Sequence, residues 1–404
     1  MANDVTILVR AKDEASKVFS GIQGAAGSMA KGVALAAGGG ALALAGIGIA
    51  ATKMAADFES SLAEVQTLLP NLDEQGFGKL RQGVLDFSKE MGVATDQAVP
   101  ALYQAISAGV PPDNVLDFMR IASKAATGGV TSLETAVDGI TSVVNAYGDE
   151  VIDAQKAADI MFTAVKLGKT DFEQLSKSLF NVIPTAAAMG VSFEEVAASL
   201  ALMTAQGVPT SVATTQLRAA FLELSKTGSV LDKSVQELLG GSFADLQKQG
   251  WDIGGVFAAL KDRSDKAGLS FSTLFSSSEA MSAALVLAQN AGDSFGVALE
   301  AMGESAGAVD AAFSTVSETA NFKLQKAMNT VKVMMIEFGS IILPHVATFL
   351  TTVVVPALDR FGDWFTEHKP QIEQAIQAII DVSLTMWQSF KSGWEVVGPL
   401  LQRF

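Results

Sequence analysis

Two stretches of this chain match position by position. One runs from Met91-Gly92-Val93 to Gly109-Val110-Pro111, the other from Met189-Gly190-Val191 to Gly207-Val208-Pro209, and Leu102 falls on Leu200. A match in fixed register marks a chain that uses one supersecondary unit again. Each copy reads as a short loop, a polar cap, one amphipathic helix and a Gly-Val-Pro break. Glycine accepts the left-handed turn that ends a helix, and proline cannot continue one. No catalytic residue type is shared between the copies, so the match is architectural. Gly92, Gly109, Gly190 and Gly207 are therefore expected to be structural hinges, and none of them a ligand. The helix–turn–helix elements they punctuate span 91–126 and 189–225. A degenerate third unit starts at Gly128-Gly129-Val130-Thr131-Ser132.

Composition narrows the fold class to all-α. Of 404 residues, 49% are hydrophobic, which excludes disorder as the main state, and only 7% are aromatic. Thin helices rich in Ala and Gly can pack closely without a large aromatic core. Few stretches alternate with period two. The expected architecture is an array of short helix–turn–helix units with glycine-rich turns, followed by long apolar C-terminal helices. The net charge of −15 repels nucleic-acid phosphates, and no basic stripe with interleaved aromatics appears, so direct nucleic-acid binding is not expected. The absence of cysteine excludes disulfides, thiolate catalysis and cysteine-based zinc sites. The N-terminus lacks the layout of a cleavable signal, consistent with synthesis in a cytoplasm.

Four regions follow. Residues 1–31 form an N-terminal arm, with alternation over Val5, Ile7 and Val9, and a helix capped by Asp13. Residues 32–53 are a Gly/Ala-rich apolar segment. Residues 54–308 carry helices with faces such as Met54, Phe58, Leu62 and Val65. Within them, Thr95 or Asp96, Asp113, Asp171 and Ser211 are read as N-caps, and 276–279 as a capping box before a helix over 281–290. Pro100 should make its helix irregular at the start, and Pro184 should kink or break the helix over 172–188. Residues 309–404 read as long helices over roughly 309–342, 345–367 and 370–398.

Two runs of about 21 residues lack Asp, Glu, Lys and Arg, a length of about 31 Å as helix and close to the thickness of a bilayer core. The first, 32–52, carries Leu42, Leu44, Ile47 and Ile49. It reads as a close-packed hairpin bent at Gly38-Gly39-Gly40, as a conditionally inserting membrane segment, or as a constitutive anchor. The second, 338–358, carries Ile341, Ile342, Leu343, Phe349 and Leu350 together with Pro344 and Pro356. It reads as a kinked, fully buried helix or as a membrane-inserting one, with Trp364, Trp387 and Trp394 just beyond it as interfacial anchors or packing residues.

The common catalytic constellations are missing. His345 and His368 are the only histidines, no His-Glu-x-x-His motif exists, and neither histidine neighbours a Gly-x-Ser-x-Gly elbow. Leu167-Gly168-Lys169-Thr170 imitates the end of a phosphate-binding loop, but the first glycine of that motif would fall at Thr163. Gly38-Gly39-Gly40 has neither the strand before it nor the acidic partner after it that a dinucleotide site requires. Glu194-Glu195 sit at a helix start, where carboxylates favour the positive helix end. A non-enzymatic protein with no cofactor or metal is expected.

A longer ordered set of motifs carries a resemblance. Asp171-Phe172-Glu173-Gln174-Leu175, then Pro184 to Glu195, then Gly207-Val208 and Thr214 to Phe221 resemble the core of phage tail tape measure proteins of the lactococcal-phage type. Ala56-Asp57-Phe58-Glu59 followed by Met91-Gly92-Val93 is similar to the start of that core, and the likeness covers about 55–325. The resemblance implies a lumen-filling rod in the growing tail tube, several copies together, whose length sets tail length. It implies as partners the tail tube protein, tail assembly chaperones, and baseplate or tail-tip proteins. It also implies an exit ahead of the genome at infection, with apolar segments meeting the host inner membrane. The alternative reading is a membrane-inserting pore or channel-forming helical protein. Family members are commonly much longer than this chain. Fully helical, 404 residues would reach roughly 600 Å, so either the tail is short or the chain is a fragment or a prophage remnant.

Overall fold

The computed structural model describes residues 40–401, and among them every regular element is a helix and none a strand. The chain divides into two compact units, Lys53–Glu337 and Met1–Thr52 with Phe338–Phe404. The arm at 5–9, the helix from Asp13 and the bend at Gly38–Gly40 lie at the edge of or outside the described residues.

Helix α1 (Gly40–Thr67) leads into the first unit, where Phe58, Leu62 and Val65 are buried. Then follow α2 (Glu74–Met91), α3 (Thr95–Ser107), α4 (Val115–Gly128), α5 (Leu133–Tyr147) and α6 (Ala154–Leu167). The expected helix over 172–188 is two helices, α7 (Phe172–Leu179) and α8 (Ile183–Ala188), with Pro184 in the first turn of the second. Proline is tolerated there because its missing N–H would be unpaired anyway. Next come α9 (Phe193–Ala205), α10 (Thr210–Ser225), α11 (Val230–Leu239), α12 (Phe243–Lys248), α13 (Ile253–Lys266), α14 (Ser278–Leu287), α15 (Asp293–Gly303) and α16 (Ala308–Ser317).

The centre of this unit is α9. It packs on α6, α8, α10, α14 and α15, and ten of its thirteen residues are buried. Helix α3, its sequence counterpart, buries five of thirteen and packs on α2, α4 and α5. Both are thirteen residues long, and all five buried positions of α3 have a buried counterpart in α9. Ala98, Val99, Ala101, Leu102 and Ala105 correspond to Val196, Ala197, Ser199, Leu200 and Met203. One unit is thus used at the edge, amphipathic, and again at the centre, apolar nearly all round. Small residues let neighbouring helices close in. A Cβ on Gly139 of α5 would stand 2.3 Å from Ser176 Oγ of α7, so no larger residue fits there without displacing α7.

Several expected caps are displaced. The N-cap of α3 is Ala94, not Thr95 or Asp96; that of α4 is Asn114, not Asp113; and that of α10 is Pro209, not Ser211. None of the three makes a side-chain cap bond. At Pro209, φ is −57° and ψ is 142°, so the chain is extended there and the helix begins at the next residue. Ser277 caps α14 by accepting from Ala280 N–H, and Glu279 falls one position too early to close a box. Helix α3 also runs through Pro100 without a break.

The expected helix over 309–342 is broken between Ser317 and Ala320, and the helices beyond that break run longer than expected. Helix α17 (Ala320–Phe349) continues through a π turn at Leu350–Val354 into α18 (Val355–Leu401). Pro344 and Pro370 lie inside α17 and α18 and end neither. The ladder widens just ahead of Pro356, whose ring would clash with the carbonyl four residues back in a regular α-helix.

Candidate functional site

The four glycines share one backbone state. Their φ values are 69° at Gly92, 96° at Gly109, 72° at Gly190 and 92° at Gly207. The paired turns close with the same bonds. Gly109 N–H donates to Ile106 O at 3.0 Å and Val110 N–H to Ala105 O at 3.0 Å; Gly207 N–H donates to Thr204 O at 2.8 Å and Val208 N–H to Met203 O at 3.2 Å. Gly190 and Val191 repeat the pattern on Ala187 O and Ala186 O, at 3.1 and 3.0 Å. These are Schellman closures, which satisfy the last carbonyls of a helix from the backbone alone. Gly92 ends α2 in the same left-handed state.

Neighbouring elements hold these turns. Asn145 Nδ2 donates to Ala108 O at 2.8 Å, and Tyr147 Oη donates to Val191 O at 3.0 Å. The Tyr147 ring lies 6.1 Å from that of Phe193. Burial, then the nearby Glu195 and Glu194 carboxylates, push the Tyr147 phenol well above its usual range, so it serves as a neutral donor. At Gly92, Asn329 Nδ2 of α17 donates to the glycine carbonyl at 2.7 Å. At the Gly207 turn, Gln206 and Gln289 exchange amide bonds at 2.6 and 3.1 Å.

Two buried carboxylates act as long-range clamps that spacing in the sequence does not reveal. Glu195 accepts from Ser192 N–H at 3.0 Å and Ser192 Oγ at 2.8 Å, completing a capping box on α9. Its other oxygen accepts from Ile253 N–H at 2.9 Å, at the start of α13. Asp159, in α6, accepts from Gly307 N–H at 3.0 Å and Val309 N–H at 2.8 Å, at the start of α16. Each places a negative charge where a helix exposes unpaired N–H groups. The one sequence signal for Asp159 is its position in an apolar run, between Ala158 and Ile160.

The candidate membrane residues divide. Leu42 and Leu44 lie in α1 ahead of the first described side chain, Ile47 is half-buried, and Ile49 is 73% exposed. In the second run Ile341 is 69% exposed while Ile342 is 7% exposed, Leu343 is half-buried, and Phe349 and Leu350 are exposed. The expectation of a fully buried helix over 338–358 is therefore overturned. The helix through these residues reaches a mean hydropathy of 2.0 over its most apolar eighteen-residue stretch, of which 6% is buried, long and apolar enough to cross a membrane. Trp364 and Trp387 are exposed, each stacked on a neighbour of its own helix. His345 is exposed, His368 Nδ1 lies 2.9 Å from Trp364 O, and no cluster of metal-ligating side chains occurs among the described residues.

Comparison with known proteins bears on this array directly. Residues 81–268, which include both paired units, match the family described as phage-related minor tail protein. The probable tape measure protein of Clostridium phage phiCD119 is 31% identical over 316 residues, or 74% of this chain and 33% of that protein. Over most of its length the chain is similar to this phage tail tape measure protein. The tape measure protein of Pneumococcus phage Dp-1 is 28% identical over 234 residues, 57% of this chain and 20% of that protein. The chain thus spans a third or less of the length of these tape measure relatives. No solved structure matches.

Proposed function

We propose that this chain acts as a phage tail tape measure protein, setting tail length and scaffolding tube assembly from inside the tube lumen. The observation that carries the reading is the similarity to the phiCD119 tape measure protein over 74% of the chain. The fold supports it physically. The array is helical, punctuated by backbone-closed glycine turns that can serve as joints, and followed by a helix of 47 residues, α18. A net charge of −15 keeps a lumen filler from holding the DNA that must pass it. Its partners in this role are the tail tube protein, tail assembly chaperones, baseplate or tail-tip proteins, and further copies of itself. It would be assembled in the host cytoplasm and reside in the virion tail.

The test belongs in α18, because a deletion over 231–300 would cut through α11 to α15 and damage the core. An in-frame deletion of residues 358–385 removes four heptads, about 42 Å of helix at 1.5 Å per residue. Tails in electron micrographs should shorten by about that length, and unchanged tails would overturn the ruler role.

A second reading concerns infection, in which the chain assists genome passage at the host inner membrane. It is favoured by one observation, the apolar helix whose most hydrophobic stretch is almost wholly exposed. Exposed apolar surface of that extent marks a partner, either protein or lipid.

A further inference from the structure

The segment from Gly307 to Glu337 fully buries few apolar side chains for its length. Its buried apolar side chains are Val309, Val333 and Ile336. Half-buried Ala312, Phe313 and Phe322 add apolar contact, Phe313 against the core itself, and the remaining holds are polar. Asp159 takes the two N–H groups at the start of α16, and Lys124 Nζ reaches Asp310 at 2.7 Å. Asn329 donates to Gly92 O at 2.7 Å, and Lys89 Nζ reaches Glu337 at 2.6 Å. The opposite face of α17 carries Leu324, Met328, Val331 and Met334, all exposed.

The seam beneath this segment is incompletely filled. A cavity of about 520 Å³ opens between the Gly92 turn, the end of α4 and the α16–α17 junction at Thr319, Asn321 and Gln325. Two buried hydroxyls that line it, Ser123 Oγ and Thr131 Oγ1, have no protein hydrogen-bond partner. The seam mixes these hydroxyls with Val93, Leu133, Val316 and Phe322 and is large enough to admit water, so its walls are less closely packed than the core around α9. The carboxylate of Asp159 is different. It is 2% exposed, and the two N–H groups it accepts lie about 150 residues further along the chain.

We infer that Gly307–Glu337 is a strap that opens as a unit before the rest of Lys53–Glu337 unfolds, with Asp159 as its catch. The strap belongs to the low-stability end of the unit because only three of its apolar side chains are fully buried and its seam is incompletely filled. Opening bares the Gly92 turn and the end of α4 while α9 keeps its own neighbours. The inference rests on the geometry of this unit alone and stands or falls independently of the tail role.

Hydrogen exchange of the full chain, read by mass spectrometry, tests it. In the unaltered protein at low urea, strap peptides over 308–334 should exchange at least about tenfold faster than peptides of α9, a gap of one logarithm that corresponds to a single well-formed polar hold. Exchange of strap and α9 at one common rate would overturn the inference. Asp159→Asn, which keeps shape but weakens the hold on two N–H groups, should raise strap exchange further and leave α9 unchanged. Asp159→Asn with unchanged strap exchange, or with α9 accelerated equally, would overturn it. If Asp159→Asn fails to fold, Asn329→Ala provides the same readout from a second hold.

Discussion

Asn145 and Tyr147, two positions apart at the end of α5, each hold one of the paired units. Asn145 reaches the closing turn of the first unit through Ala108 O, and Tyr147 reaches the opening turn of the second through Val191 O. The sequence copies are therefore cross-linked through a third helix that belongs to neither. Tyr147→Phe should lower stability by about 1 kcal/mol, the usual worth of one hydrogen bond, and leave the Val191 carbonyl without its donor. Asn145→Ala, on an exposed bond, should cost less. Urea unfolding followed by circular dichroism reads both, and equal midpoints for Tyr147→Phe and the parent would remove Tyr147 as a clamp.

The glycine turns separate backbone strain from crowding. A Cβ on Gly109 or Gly207 would meet nothing within 4 Å, so alanine there should cost only the left-handed conformation, about 1–2 kcal/mol. At Gly92 the same Cβ would stand 3.0 Å from Lys326 Cβ, which adds a clash. The expected order of unfolding midpoints is Gly109→Ala above Gly92→Ala. The reverse order would mean that α17 does not press on that turn.

Leu102 and Leu200 occupy matched positions, and each is fully buried. Leucine to alanine in a core costs about 2–5 kcal/mol, and most where the site cannot collapse. Leu200 stands in the helix surrounded by five others, so Leu200→Ala should fall at the upper end and Leu102→Ala at the lower. Matching losses in calorimetry would contradict the assignment of α9 as the centre.

The membrane reading makes a position-specific claim. Ile341→Asp places a charge on an exposed face and should abolish liposome flotation without unfolding the chain. Ile342→Asp buries a charge and should destabilise the protein itself. If Ile341→Asp floats as well as the parent, the stretch over 338–358 does not insert.

The helix content, the glycine turns and the registered pair were legible in the sequence, because all three follow from periodicity and from the few residues that break it. The caps were less so. A Thr, Asp or Ser near a helix start marks a neighbourhood, while the turn before it decides where the backbone leaves the extended state, as at Ala94 and Pro209. The breaks expected near 342–345 and 367–370 are absent, and the helices run through Pro344 and Pro370, since loss of one backbone bond is tolerable in a long helix. The clamps at Tyr147, Asp159 and Glu195 join residues tens to over a hundred positions apart, and no local pattern announces such a partner. A carboxylate set among buried apolar neighbours, as at Asp159, is the one trace they leave.

The turn at Gly207 is closed by backbone atoms alone, and so is the turn at Gly109. The bend itself is set by the glycine and the backbone, and side chains such as Asn145 and the Gln206–Gln289 pair brace it from outside. Outward faces away from such braces can therefore be rewritten residue by residue, to suit a different enclosing wall, without altering where the chain bends.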